Sequence, residues 1–158
     1  MLLTTILLAA ALSVTPDDGT APRSRDDQVR EASNDVMPFS MGATQHIFRK
    51  THDGGVQTVV VRKPDEQQTT MVRQHLRQLA EQFRARDFTG PAHIHGATMP
   101  GLSEMRASEP TDLDVTYADV SGGGQITYSA HTRALVDAVH RWFDAQVSDH
   151  GRDARAEP

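Results

Sequence analysis

The strongest constraint on this chain is a pattern that occurs twice. Two β-rich runs surround a glycine turn, and a helix with one apolar stripe follows. In "QHIFRKTHDGGVQTVVVRK", Gln45 to Lys63, the runs flank Asp53-Gly54-Gly55, residues that tolerate the positive φ of a tight hairpin turn. In "DLDVTYADVSGGGQITYSA", Asp112 to Ala130, Leu113, Val115 and Tyr117 alternate with polar residues, as do Ile126 and Tyr128, around Ser121-Gly122-Gly123-Gly124. A period of two predicts half-buried strands. After the first hairpin, Pro64-Asp65-Glu66 opens a segment in which Val72, His75, Leu76, Leu79, Ala80 and Phe83 recur every three or four residues, which predicts a helix with one buried face. After the second, Thr132 is the expected N-cap. Leu135, Val136, Val139, His140, Phe143 and Val147 make the second stripe, and Gly151 is its natural stop. The expected architecture is α+β: ββα–loop–ββα, a four-stranded antiparallel sheet with two main helices packed on one face.

The two ends read differently from this core. Leu2 to Val14 is an apolar run too short to span a bilayer as a helix. It suits the apolar centre of a secretory signal peptide, with Ala11-Leu12-Ser13 as the small-residue cleavage site. Residues 1–14 are therefore read as a signal peptide, and the protein as exported to the periplasm or the extracellular space. Residues 15–43 are rich in Asp, Arg, Ser, Pro and Gly without a sustained apolar period, and read as a disordered linker. The single domain spans residues 44–150, and residues 151–158 read as a flexible tail.

Composition removes several kinds of chemistry. The chain has no cysteine, which excludes disulfides, thiolate metal sites, iron–sulfur clusters and thiol nucleophiles. Its formal charge of −5 and scattered basic residues give no nucleic-acid footprint. Nor do they give a cationic membrane-surface helix, so no membrane contact is expected after signal cleavage. There is no nucleophile elbow around any serine, no phosphate-binding G-x-x-x-x-G-K and no G-x-G-x-x-G.

What remains is histidine. His75 and His140 sit on the two apolar stripes, where a helix built only for packing would carry Leu or Ile. Each imidazole brings two polar nitrogens that need partners. Between the hairpins, "PAHIHGATMPG", residues 91–101, concentrates neutral ligand side chains and contains no lysine, arginine or carboxylate. In an extended segment His93 and His95 share a face, and Met99 follows, fixed by Pro100-Gly101. If this loop folds over the helix layer, His75, His95, Met99 and His140 form a site of three imidazoles and one thioether. His93, His150 and His46 are reserve ligands. Such a donor set favours copper, Cu(I) in particular. Three histidines plus water would suit zinc. Haem held by His and Met ranks lower, because no C-x-x-C-H is present and aromatics are few. His52 and His131 are expected at the surface without a role.

"THDGGVQTVV", "FTGPAHIHGATMPGL" and "ALVDAVHRWFDAQVSDHG" resemble a group of small bacterial proteins, exported or lipid-anchored, that carry the label aspartate carbamoyltransferase. The resemblance covers about Phe39 to Gly151. It implies that the loop around His95 and Met99 and the C-terminal "HRWFDAQVSDHG" belong to that group's signature. The label itself implies a carbamoyl-phosphate site built from S-T-R-T-R and H-P-x-Q segments, and neither is here. Genuine aspartate carbamoyltransferase activity is therefore not expected. The missing lipobox cysteine departs from the anchored members and implies a soluble product.

The leading expectation is an exported transition-metal binding protein, with copper as its metal, serving buffering, delivery or tolerance. Its partners would be the metal ion and a metal-delivery protein, and an exposed sheet edge would permit a homodimer. No catalytic residue is assigned. Two alternatives stand beside this reading. One is a metal-free binding or assembly domain with its histidines satisfied in the core. The other is a small hydrolase or transferase using a metal-bound water or a His–Asp pair, for which Asp137, Asp144 and Asp149 lie near His140.

Overall fold

The structure is a computed structural model, and it describes residues 23–158. The expected signal peptide, residues 1–14, and the start of the expected linker lie outside the described residues.

Both hairpins form where the turn residues place them. Strands β1 (Thr44–Thr51) and β2 (Gly54–Val61) pair antiparallel from Thr44↔Val61 to Thr51↔Gly54. Strands β3 (Leu113–Val120) and β4 (Gly123–Ala130) pair from Leu113↔Ala130 to Val120↔Gly123. The hairpins join through β2 and β4, again antiparallel. On the face formed by His46 and Phe48, Gln57 and Val59, Ile126 and Tyr128, and Leu113 and Val115, the side chains point into the core.

The expected α+β class holds, and the two long helices share that face. Helix α2 (Glu66–Arg84) starts at Asp65, whose side chain accepts from the Gln68 amide at 2.9 Å. It buries Val72, Leu76, Leu79, Ala80 and Phe83, each large side chain contributing about 1.5–3 kcal/mol. Helix α5 (Arg133–His150) is capped by the Thr132 hydroxyl. It buries Leu135, Val136, Val139, Trp142 and Phe143. Gly55 is required beneath it, because a Cβ there would stand 2.4 Å from the Phe143 ring.

Three segments depart from the expectation. Among the described residues the sheet has five strands, not four, and is mixed: β5 (Ala154–Glu157) lies parallel to β1, giving the order β3-β4-β2-β1-β5. This strand falls in the expected flexible tail. Its polar sequence has no strand period, and backbone pairing along the β1 edge together with Asp153 holds it. Asp153 is buried and paired with Arg30 at 2.6 Å and Arg62 at 3.3 Å.

Second, the expected linker contains α1 (Arg25–Val36), capped by Ser24 and buried only at Val29 and Ser33. One buried apolar side chain leaves no period to read. Third, the loop at 91–101 is not extended. Its first part belongs to α3 (Thr89–His95), and a turn follows that ends at Gly101, the N-cap of α4 (Leu102–Ala107). Two residues apart on a helix, His93 and His95 point to different sides. His93 is exposed beside Asp35 at 3.3 Å, whereas His95 is buried.

Candidate functional site

Four buried histidines from four elements line one cavity. His46 comes from the inner face of β1, His75 from α2, His95 from the end of α3 and His150 from the end of α5. The helices deliver their parts at a spacing of four. On α2, His75, Leu79 and Phe83 line the cavity, and on α5 so do Trp142, Gln146 and His150; residues i, i+4 and i+8 lie one above another on a helix. Gln57 of β2 and Met37, just past α1, complete the polar and thioether lining. The free volume is about 30 Å³, room for a water or two or a single ion.

The rings are packed on one another. His46 stacks on His150 with centroids 5.1 Å apart, and His95 meets His150 edge to face at 4.8 Å. Phe39 contacts both His46, at 6.2 Å, and His75, at 5.6 Å. Burial keeps every one of these imidazoles neutral. It pushes His46 down to about 3, with His75, His95 and Arg62 adding repulsion. It pushes His75 down to about 4 and His150 to about 2, the latter aided by His46, His95 and Arg30. His95 is also lowered, burial outweighing the opposing pull of Asp149.

Hydrogen bonds assign the free nitrogens. His95 Nδ1–H donates to Asp149 Oδ2 at 2.9 Å, which puts the lone pair of the neutral ring on Nε2, and the Gln146 side chain lies within hydrogen-bonding reach of the same ring. His150 Nε2–H donates to Gln146 Oε1 at 3.1 Å, which leaves Nδ1. Among the described residues His46 Nε2 is buried with no hydrogen-bond partner, and so is Trp142 Nε1. Buried polar atoms are normally paired, so unpaired nitrogen at a polar cavity invites a ligand. Even so, among the described residues no three His, Asp or Glu side chains already form a convergent metal-ligand set.

The structure thus brings His46, His75, His95 and His150 together, and places the other candidates elsewhere. His140 points to the first hairpin, where its Nε2–H is shared between the carbonyls of Thr51, at 3.0 Å, and Gly54, at 2.9 Å. Met99 is buried in the hydrophobic core. Met37 is the methionine that reaches the cavity, and neither it nor Gln57 gave a signal in the sequence. Of the three aspartates near His140, Asp149 orients an imidazole, but that of His95. Asp144 pairs with Lys50 at 2.6 Å and Asp137 with Arg133 at 3.1 Å, both at the surface. His131 sits at the surface beside Asp114 at 3.1 Å, and His52 is exposed.

Comparison with protein-family models, with curated proteins and with solved structures finds no match to this chain. Among the described residues no helix is long and apolar enough to cross a membrane.

Proposed function

We propose that this protein binds a transition-metal ion through His46, His75, His95 and His150, in an exported protein that buffers, delivers or confers tolerance to the metal. The observation that supports this best is that four neutral imidazoles line one cavity the size of an ion, where His46 Nε2 has no hydrogen-bond partner among the described residues. Imidazole nitrogen suits copper, zinc and nickel, and the Irving–Williams order places copper first. The Met37 thioether at the cavity is compatible with Cu(I). Asp149 would act on His95 as carboxylates commonly act on metal-bound histidine, fixing the tautomer and raising basicity. The rings must turn from their mutual packing to converge on a metal.

The enzymatic alternative has less support. A His95–Asp149 pair exists, but the His95 side chain is 1% exposed, and about 30 Å³ does not admit an organic substrate.

The test is metal analysis of protein purified without a histidine tag, then copper, zinc and nickel titration. Trp142 is the single tryptophan and lines the cavity, so copper bound there quenches its fluorescence. One equivalent of metal, a quenching endpoint at that ratio and a raised melting temperature are expected. No stoichiometric metal and no thermal shift would overturn the reading and leave the cavity as a hydrated structural feature.

A further inference from the structure

The C-terminal end of helix α1 forms one wall of the histidine cavity, and α1 is the most weakly packed element around it. Val36 at its C-terminus and the adjoining Met37 line the cavity beside Gly90, Pro91 and Ile94. A Cβ on Gly90 would stand 3.5 Å from Val36, so α1 and the start of α3 touch there. At the other end, Arg25 Nη2 donates to the His95 carbonyl at 2.8 Å and to Asp149 Oδ2 at 2.6 Å. That carboxylate oxygen is the one that accepts from His95 Nδ1. A second tie joins Arg30 to Asp153.

Between these ties α1 has little hold among the described residues. It buries Val29 and Ser33 alone, and the Ser33 hydroxyl bonds within its own helix to the Val29 carbonyl. Helix α2 by contrast buries Val72, Leu76, Leu79, Ala80 and Phe83. Apolar burial scales with area, and an ion pair with a solvent-exposed partner contributes less than a buried one; Arg25 and Arg30 are 48% and 35% exposed, against 18% and 6% for their partners Asp149 and Asp153. Elements with few buried apolar contacts open first.

We infer that α1 is a releasable cover over the histidine cavity, latched by Arg25, and that a metal ion reaches the histidines when α1 lifts. The cargo rests on the metal-binding reading above; the cover does not. Arg25 suits the role of latch because it grips both the backbone of His95 and the carboxylate that orients its ring. Release of α1 therefore loosens that wall and the His95–Asp149 pair together, and redocking restores both.

The test is hydrogen–deuterium exchange on the metal-free full chain, wild type against Arg25→Gln and Arg30→Gln, with copper-dependent quenching of Trp142 followed by stopped flow. In the wild type, α1 amides should be protected at least tenfold less than those of α2 and α5. Arg25→Gln should speed α1 exchange and the quenching rate at least fivefold, and Arg30→Gln should act in the same direction. Protection of α1 equal to that of α5, or rates unchanged in both variants, overturns the cover. Faster α1 exchange without quenching by copper supports the cover and overturns the metal reading.

Discussion

Asp149 Oδ2 accepts a hydrogen bond from His95 Nδ1 at 2.9 Å, across the junction of the α3 and α5 C-termini. The contact fixes which nitrogen of His95 faces the cavity. It also gives a buried imidazole a partner that is itself held by Arg25.

This pairing makes His95 and Asp149 separable by mutation. His95→Ala should lower metal affinity at least tenfold while leaving the fold intact. Asp149→Asn keeps a hydrogen-bonding group but removes the charge and should weaken binding by about 10–100-fold, the usual range for an orienting carboxylate. Titration followed by Trp142 quenching reads both. An unchanged His95→Ala isotherm would remove His95 from the site.

His140 predicts the opposite pattern. Its ring satisfies two carbonyls at the first hairpin turn. His140→Ala should destabilise the fold by about 1–3 kcal/mol, the cost of leaving such groups unpaired, with metal affinity unchanged. Denaturant unfolding and the same titration distinguish the two roles. Lost metal binding in a folded His140→Ala protein would contradict the assignment.

The metal-free protein should lose stability as pH falls below about 6.5. His46, His75 and His150 are depressed to about 3, 4 and 2, and His95 is lowered with them, all by burial. Below the unfolded value the unfolded chain binds protons that the folded chain does not. Each histidine thus contributes stability that is complete above pH 6.5 and declines as pH falls toward its folded value, by up to about 1.4 kcal/mol per pH unit. Denaturant midpoints at pH 7.5 and 5.5 check the sign. His75→Leu should flatten the slope, and a profile that is flat in the wild type would contradict neutral burial.

Gly101→Ala tests what the "TMPG" turn is for. Gly101 has φ +79°, and a Cβ there would stand 2.0 Å from the Ala138 carbonyl oxygen. Left-handed backbone costs about 1–2 kcal/mol without glycine, and the clash adds about 1–3 kcal/mol. The melting temperature should drop clearly, and metal stoichiometry in the folded fraction should not. Pro100-Gly101 then serves to seat α4 against α5, and Met99 to fill the core.

The hairpins, the two long helices and their shared sheet face were legible because each rests on local periodicity or turn chemistry. Asp53-Gly54-Gly55, the α2 stripe and the Thr132 cap act over a few residues, and the sequence displays them directly. The same logic identified His75 as an imidazole on a buried face, and pointed to His95. It could not separate His75 from His140, since both lie on apolar stripes. What separates them is the neighbour each ring meets: the cavity for one, two hairpin carbonyls for the other.

The sequence by itself determined the α+β class and the need for partners at buried histidines. Tertiary structure alone decided which histidines meet. His46 and His150 are far apart in the chain. They stack because the chain turns back after α5 and lays Ala154 against His46 on β1. That return, and the docking of α1 through Arg25 and Arg30, depend on backbone pairing and on charges distant in sequence. Neither leaves an apolar period, so no local pattern announces them.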